Sequence, residues 1–407
     1  MVSFIVEGRM LEFMKRKGML FVIGALIICS IFLLTGYIVN KRKTSNPTPQ
    51  ISENANNLFD YNFTKESLKN SENSLVSPVS IAYLLSMIKA GAKGNTLKEL
   101  EFALNNYSLT PLINIGSKVS MANSIWIKNG YKDSINSKYV GGLKINYRSD
   151  IMYDNFNGAA NINNWVKEKT YDMIPKLFED SDISPNTIMA LVNAIAINLK
   201  WEEPFNCNST TMELFNEKDN VHMMHSTEDY LESDYFTGFV KTYESLEDET
   251  QFEFIGLLPK NNINEVIENL NNDVIKKSRT NDSAFISIPR FKYDYDVDDL
   301  KGILNKMGIN DLFSENKADL SGITNSIYVS VIKQKTYIDF METGTKAAAA
   351  SGALFDKNSP AGVIEHKVNF NKPFVYIIKE KNSENIYFAG IVNNPTIYDA
   401  NNSICEE

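Results

Sequence analysis

Residues Glu342 to Ala350, Glu-Thr-Gly-Thr-Lys-Ala-Ala-Ala-Ala, have types and spacing suited to one physical act, the addition of a strand to a sheet. They follow Tyr328 to Met341, in which Val329, Val331, Ile338 and Phe340 favour extended structure. As a permanent loop such small residues contribute no packing, and an Ala-rich segment left alone prefers helix. In an extended chain, side chains alternate between two faces. One set is Thr345, Ala347, Ala349, Ser351 and Ala353, small enough to pass beneath a packed layer. The other holds Lys346, Ala348, Ala350 and Gly352, where a charge can stay in water. Gly344 frees the backbone where insertion would begin. The plainer reading is a flexible Ala/Gly surface loop, and nine residues alone do not separate the two.

Other chemistry-bearing residues are sparse. His222-x-x-His225 with Glu228 is the nearest approach to a metal cluster, and ordinary strand and loop histidines outweigh it, so no metal is expected. Cys29, Cys207 and Cys405 are odd in number and widely spaced, which argues against a disulfide framework or a structural zinc site. There is no Walker loop, no Gly-x-Ser-x-Gly elbow and no Rossmann fingerprint. The chain does not read as an enzyme, and no cofactor is expected.

The sequence has 407 residues, 43% hydrophobic and 22% charged, a globular composition with room for one large domain. Of the net charge of −9, residues 1–43 carry +5 and the remainder −14. An acidic body without a basic stripe argues against nucleic acid or heparin as a partner. Gly18 to Val39 is an uncharged run of 22 residues between Lys15-Arg16-Lys17 and Lys41-Arg42-Lys43, long enough for a membrane helix. The expected organisation is a cytoplasmic segment 1–17, a transmembrane anchor or uncleaved signal 18–39, a linker 40–53, a main domain 54–400 and a tail 401–407. The expected location is the cell membrane, single-pass with the main domain outside; secretion after signal cleavage is the alternative. Leu26-Ile27-Ile28 lacks the small residue that precedes a lipidated cysteine, which argues against a lipid on Cys29.

The elements that must position the small-residue segment are mixed. Ser77 with Pro78 predicts a helix opening, Ser77 as cap, and Ile81, Leu84, Leu85 and Ile88 then share a face. Asn163 to Thr170 and Asp298 to Met307 are further helices. Ile188 to Leu199 is nearly all apolar, as in a strand covered on both faces. Phe252 to Leu258, Ala284 to Ile288, Phe374 to Lys379 and Tyr387 to Val392 are strand candidates. Strands scattered among helices without strict βαβ alternation indicate an α+β domain.

Several longer motifs, in order, resemble the serpin family of serine protease inhibitors. They include Asn73 to Ile81 (NSLVSPVSI), Gly91 to Thr96, Ala122 to Ile127, Ile162 to Val166, Leu191 to Ala194 with Lys200 to Phe205, Ala318 to Ile323, Phe370 to Phe374 and Phe388 to Pro395. The resemblance implies a fold of three β-sheets, about eight to nine helices and an exposed reactive-centre loop. By carry-over Ser77, Ser80 and Asn193 occupy the shutter, where the central sheet parts, and Trp201 the breach, where insertion starts. Glu342, Gly344, Thr345, Ala347, Ala348, Ala349 and Ala350 form the hinge. One departure stands out: Gln334 replaces the family's usual histidine, and an amide cannot become cationic. Counting from Glu342 puts the reactive bond at Asn358-Ser359, with Lys357 the alternative; counting back from Phe370 lands nearer Gly362, and earlier cleavage near Phe355 is a further option. The implied activity is inhibition of a serine-type, and also cysteine, endopeptidase by a suicide substrate. The partner is the target protease, held as a covalent acyl-enzyme; the membrane is a second partner through the N-terminal helix, and the chain is monomeric. A non-inhibitory binding or surface protein on the same fold is the alternative.

Overall fold

The computed structural model describes residues 58–68, 72–107, 118–147, 149–183, 185–345 and 366–397. The first part runs α1 (Leu58–Ser67), β1 (Ser74–Val76), α2 (Pro78–Lys89), α3 (Gly94–Leu104), β2 (Val119–Lys128), α4 (Ser137–Tyr147), β3 (Asp150–Asp154) and α5 (Ala160–Lys169). The middle is mostly strand: β4 (Met189–Ile197), β5 (Leu199–Lys200), β6 (Thr211–Phe215), β7 (Asp219–Glu232), β8 (Phe236–Thr242) and β9 (Phe252–Pro259). Then come α6 (Ile263–Asn269), α7 (Asn272–Ser278), β10 (Arg279–Pro289), β11 (Phe291–Asp296) and α8 (Leu300–Lys306). The chain closes with β12 (Val331–Met341), β13 (Gly344–Thr345), β14 (His366–Asn369), β15 (Phe374–Glu380) and β16 (Ile386–Val392). The class is α+β, as expected, with eight α-helices among the described residues.

The strands form two hydrogen-bonded sheets. One runs β3-β2-β4-β12-β13-β5, with β11 on β12. The other runs β1-β16-β15-β9-β8-β7-β10-β14, with β6 on β7. Three sheets were expected, and the described strands form two. β7 carries β6 and β8 at different levels, through Asp219–Met223 and Asp229–Glu232, and so joins two sheets into one ladder.

Pro78 occupies the first turn of α2, where its missing N–H costs nothing. Ser77 does not cap through its hydroxyl, contrary to expectation; it sits at the N-cap without a side-chain bond. Its backbone is engaged instead by Gln334, described below. Every residue of α2 from Pro78 to Ile88 is buried, so this helix runs through the interior beneath the seven-stranded sheet. On the opposite face α5 lies across the sheet, with Ile162, Trp165 and Val166 clustered against Trp126, Ala190, Val192 and Ala194. That double cover is why β4 is buried along its whole length.

No helix among the described residues is long and apolar enough to cross a membrane. The longest, α2, has 12 residues. At 1.5 Å per residue it spans about 18 Å, against a hydrocarbon core of about 30 Å. This overturns the expected single-pass membrane location, and no described residue supports the membrane as a partner; the run Gly18 to Val39 itself lies outside the described residues.

Candidate functional site: a strand seated at the top of a parted sheet

Glu342 to Thr345 turn back from the end of β12 and are gripped from several sides. The Trp201 backbone N–H donates to the Thr343 carbonyl (3.1 Å), and its indole Nε1–H donates to the Met341 carbonyl (2.9 Å). The Phe205 N–H donates to the Glu342 carbonyl (2.9 Å). The Glu342 carboxylate accepts from Thr210 Oγ1 (2.7 Å) and from Arg290 Nε, 2.9 Å from Oε1 and 2.7 Å from Oε2. Glu342 is buried, so its charge needs that guanidinium. Trp201 is fully enclosed, stacked on Tyr243 at 4.1 Å between centroids and edge-on to Phe340 at 5.3 Å. These rings form a rigid floor beneath the turn.

β13 follows, wedged between two strands. Gly344 pairs with Met341 and Lys200; Thr345 pairs with Phe340 and Leu199. Gly344 has φ +155°, and a Cβ there would lie 2.1 Å from the Leu199 carbonyl oxygen, so only glycine fits. Thr345 points inward and is 1% exposed; its hydroxyl shares a 2.6 Å hydrogen bond with that of Tyr243. Burial pushes the Tyr243 phenol well above its ordinary value, which keeps its proton in place.

Below this wedge the sheet is parted, then closed. β4 and β12 run parallel but pair only at Ala190–Ala194 with Val331–Lys335. Ile195–Ile197 and Thr336–Phe340 are not partnered to each other. The two strands have diverged to admit β13 and rejoin five rungs lower.

The closed part is held by Gln334. Its Oε1 accepts from the Ser77 N–H (3.0 Å); its Nε2 donates to the Ser77 carbonyl (2.9 Å) and to Ser80 Oγ (2.9 Å). Asn193, the rung partner of Gln334, donates through Nδ2 to Asn123 Oδ1 (2.6 Å) and to the Ser80 carbonyl (3.3 Å). The network is incompletely satisfied. Ser77 Oγ, Asn193 Oδ1 and Asn123 Nδ2 are buried without a hydrogen-bond partner.

The structure therefore gathers Ser77, Ser80, Asn193 and Gln334 in one cluster beneath β4 and β12, and Trp201, Glu342, Gly344 and Thr345 in another above it. Ala347, Ala348, Ala349, Ala350, Phe355, Lys357, Asn358, Ser359 and Gly362 lie outside the described residues. Sequence reasoning missed Thr210, Tyr243 and Arg290. They come from three separate strands or turns, and no local pattern marks them. Cys207, two residues after Phe205, is disulfide-bonded, which the odd number and wide spacing of the cysteines did not suggest.

An α+β domain whose central sheet is parted at one end, with the beginning of an extra strand already seated there, is built to accept more of that strand. The match to a family model sharpens this class. Residues 54–395 match the model described as serpin (serine protease inhibitor), and the chain belongs to the serpin family. It is 28% identical over 379 residues to a serpin-like protein of Thermococcus kodakarensis, covering 84% of this chain and 85% of the relative. Among solved structures it is similar to the thermophilic serpin tengpin in the native state, with a TM-score of 0.73 and 29% identity, over 83% of this chain and 92% of that one. Against tengpin in the latent state the TM-score is 0.67, at 28% identity over 83% of this chain and 96% of that one.

Proposed function

We propose that this chain inhibits a serine-type endopeptidase as a suicide substrate, trapping the enzyme by inserting its hinge into the parted sheet. The observation that carries this reading is the seating of Gly344–Thr345 between β12 and β5. The two registers that flank β13 are mutually consistent. Continued downward, residue 347 falls opposite Ile338 and Ile197, and residue 350 opposite Lys335 and Ala194, which are themselves a rung. Residues 346–349 can thus enter without breaking any rung. Residues 350–354 must each displace one of the five between Val331–Lys335 and Ala190–Ala194.

The energetics favour completion. A strand of roughly nine further residues, bonded on both sides, gains more hydrogen bonds than the five rungs it displaces. At about 0.5–1.5 kcal/mol net each, the surplus is on the order of 10 kcal/mol. In the intact chain the loop is tethered at both ends, and Gly344–Thr345 are the described part of the hinge seated in the sheet. Attack by the protease forms an acyl-enzyme and frees one end. The hinge then runs down the sheet with the protease attached, and the enzyme is distorted before water completes hydrolysis. The bond attacked is taken to be Asn358-Ser359, with Lys357 as the alternative. The chain acts as a monomer and not as an enzyme. The disulfide at Cys207 supports a working compartment outside the reducing cytosol.

Incubation with trypsin, chymotrypsin, subtilisin and papain, followed by denaturing electrophoresis, tests this. A complex that survives boiling is the expected product, and its released peptide names the bait bond. Clipped chain alone, with no such complex, supports a non-inhibitory binding protein on the same fold.

A further inference from the structure

Two Asn-Gly pairs occur in the chain, Asn129-Gly130 and Asn157-Gly158, and the fold brings both asparagines to one cavity of about 410 Å³ at the start of α5. In such a pair the main-chain nitrogen reaches the preceding side-chain amide with ease, because glycine has no Cβ to block the approach and its backbone turns freely. The structure treats the two pairs differently. Asn129 opens a short 3-10 helix, Asn129–Ser134, and its Nδ2 donates to Asn155 Oδ1 (2.8 Å), so its amide is held. Asn157 is exposed on the irregular stretch between β3 and α5. Neither its amide nor the Gly158 N–H makes a hydrogen bond among the described residues. The positions on either side are braced. Asp154 accepts from the Phe156 N–H (2.6 Å) and from Asn161 Nδ2 (2.6 Å), and Asp180 accepts from the Ala159 N–H (2.9 Å). Phe156 is buried at φ +56°, a left-handed conformation that an aromatic residue keeps only when its surroundings impose it.

We propose that Asn157-Gly158 is an ageing site, where spontaneous deamidation loosens the seat of α5 on the sheet. The Gly158 nitrogen attacks Asn157 Cγ, the Cγ–Nδ2 bond breaks, and ammonia leaves with the proton that Gly158 gives up. Water then opens the five-membered imide at either carbonyl, leaving aspartate or isoaspartate at 157. Both products set a third carboxylate in a loop braced by Asp154 and Asp180, and like charges at close range repel. Isoaspartate also adds one carbon to the main chain between Phe156 and Ala159, so the two braces cannot both keep their lengths. Those braces fix the end of α5 whose Ile162, Trp165 and Val166 cover Ala190, Val192 and Ala194 of β4.

The test needs no protease and stands apart from the inhibitory reading. The full chain is held in mildly alkaline buffer, either folded or in urea, and peptides spanning the two pairs are followed by mass spectrometry. Isoaspartate is labelled with an isoaspartyl methyltransferase. In the folded chain Asn157 should convert about tenfold faster than Asn129, whose reaction waits on local opening. In urea the two should convert at similar rates. Asn157 converting no faster than Asn129 in the folded chain overturns the site, and a gap of the same size in urea assigns it to local sequence and overturns the structural argument. Amide hydrogen exchange across Ala160–Lys169 should then quicken in the aged parent. Asn157→Gln, whose six-membered imide forms far more slowly, should keep the exchange rates of the fresh chain through the same treatment. An aged parent, converted at 157 yet exchanging as slowly as the fresh chain, overturns the loosening of α5.

Discussion

Replacing Thr345 by arginine should convert the inhibitor into a substrate. Thr345 is enclosed, with its hydroxyl 2.6 Å from that of Tyr243 and Phe340 as rung partner. A guanidinium cannot shed its charge. The neighbouring carboxylate, Glu342, is already committed to Arg290 and Thr210. An uncompensated buried charge costs about 3–5 kcal/mol. If about 3 kcal/mol of that is felt in the transition state for insertion, the strand enters roughly a hundredfold more slowly. Suppose insertion in the parent outruns hydrolysis of the acyl-enzyme by about tenfold. It then loses the race by about the same factor, and roughly ten molecules are consumed per protease trapped. Titration of a fixed amount of protease, read by residual activity and by the ratio of complex to clipped chain on a denaturing gel, measures this number. The cleavage rate itself should not move, because the bait is unaltered. A variant that still traps protease one to one would refute the claim that Thr345 must stay inside during insertion.

Gly344→Ala should act at the same step, since its new methyl would meet the Leu199 carbonyl oxygen at 2.1 Å; β13 is expelled, and complex yield on the gel should fall at unchanged cleavage rate. Gln334→Ala strips the buried Ser77 N–H of its acceptor and takes one donor each from the Ser77 carbonyl and Ser80 Oγ, which keep their bond to each other, at a cost of about 2–4 kcal/mol. Its urea midpoint should drop, and its inhibitory activity should fade faster on mild heating; parent-like values for both would show that the network does not hold the sheet shut. Asp60 is fully buried, accepting from Tyr107 Oη (3.1 Å) and the Ile386 N–H (2.8 Å), and burial pushes its carboxyl from the ordinary 3.8 up to about 8. The folded chain therefore keeps a proton that the unfolded chain releases, so stability is fully present below about pH 4 and is lost as pH rises towards 8. Asp60→Asn imitates the protonated acid: urea unfolding should show it more stable than the parent by a few kcal/mol at pH 8 and nearly equal near pH 4. An equal gap at both pH values would remove the titration argument.

Where side-chain pattern alone decides, the sequence was legible. The period of two placed Thr345 on the inward side, and the unbroken apolar run of β4 implied cover on both faces. Pro78 located the start of α2 to the residue. Ser77 shows where such reasoning stops. As a local pattern it reads as a helix cap, yet its N–H and carbonyl are bonded to an amide 257 positions away. The grip on Glu342 was equally hidden, because Thr210, Arg290 and Phe205 are adjacent only after two sheets have assembled. The parting of β4 from β12 could not be read at all: both strands are continuous in sequence, and only their pairing reveals that they separate. The apolar run near the N-terminus misled in the other direction, since length and hydropathy alone pointed to a membrane location.

The five rungs between β4 and β12 join segments about 140 positions apart, whereas β12 and β13 are successive arms of one hairpin. Local pairings form faster than distant ones. During folding, the downward growth of that hairpin thus competes with closure of the rungs, and the hairpin has the head start. A newly made chain that zips it first reaches the lowest-energy arrangement at once and is born spent. The useful molecule is the slower route's product, so yield of active protein is a question of timing and not of final stability.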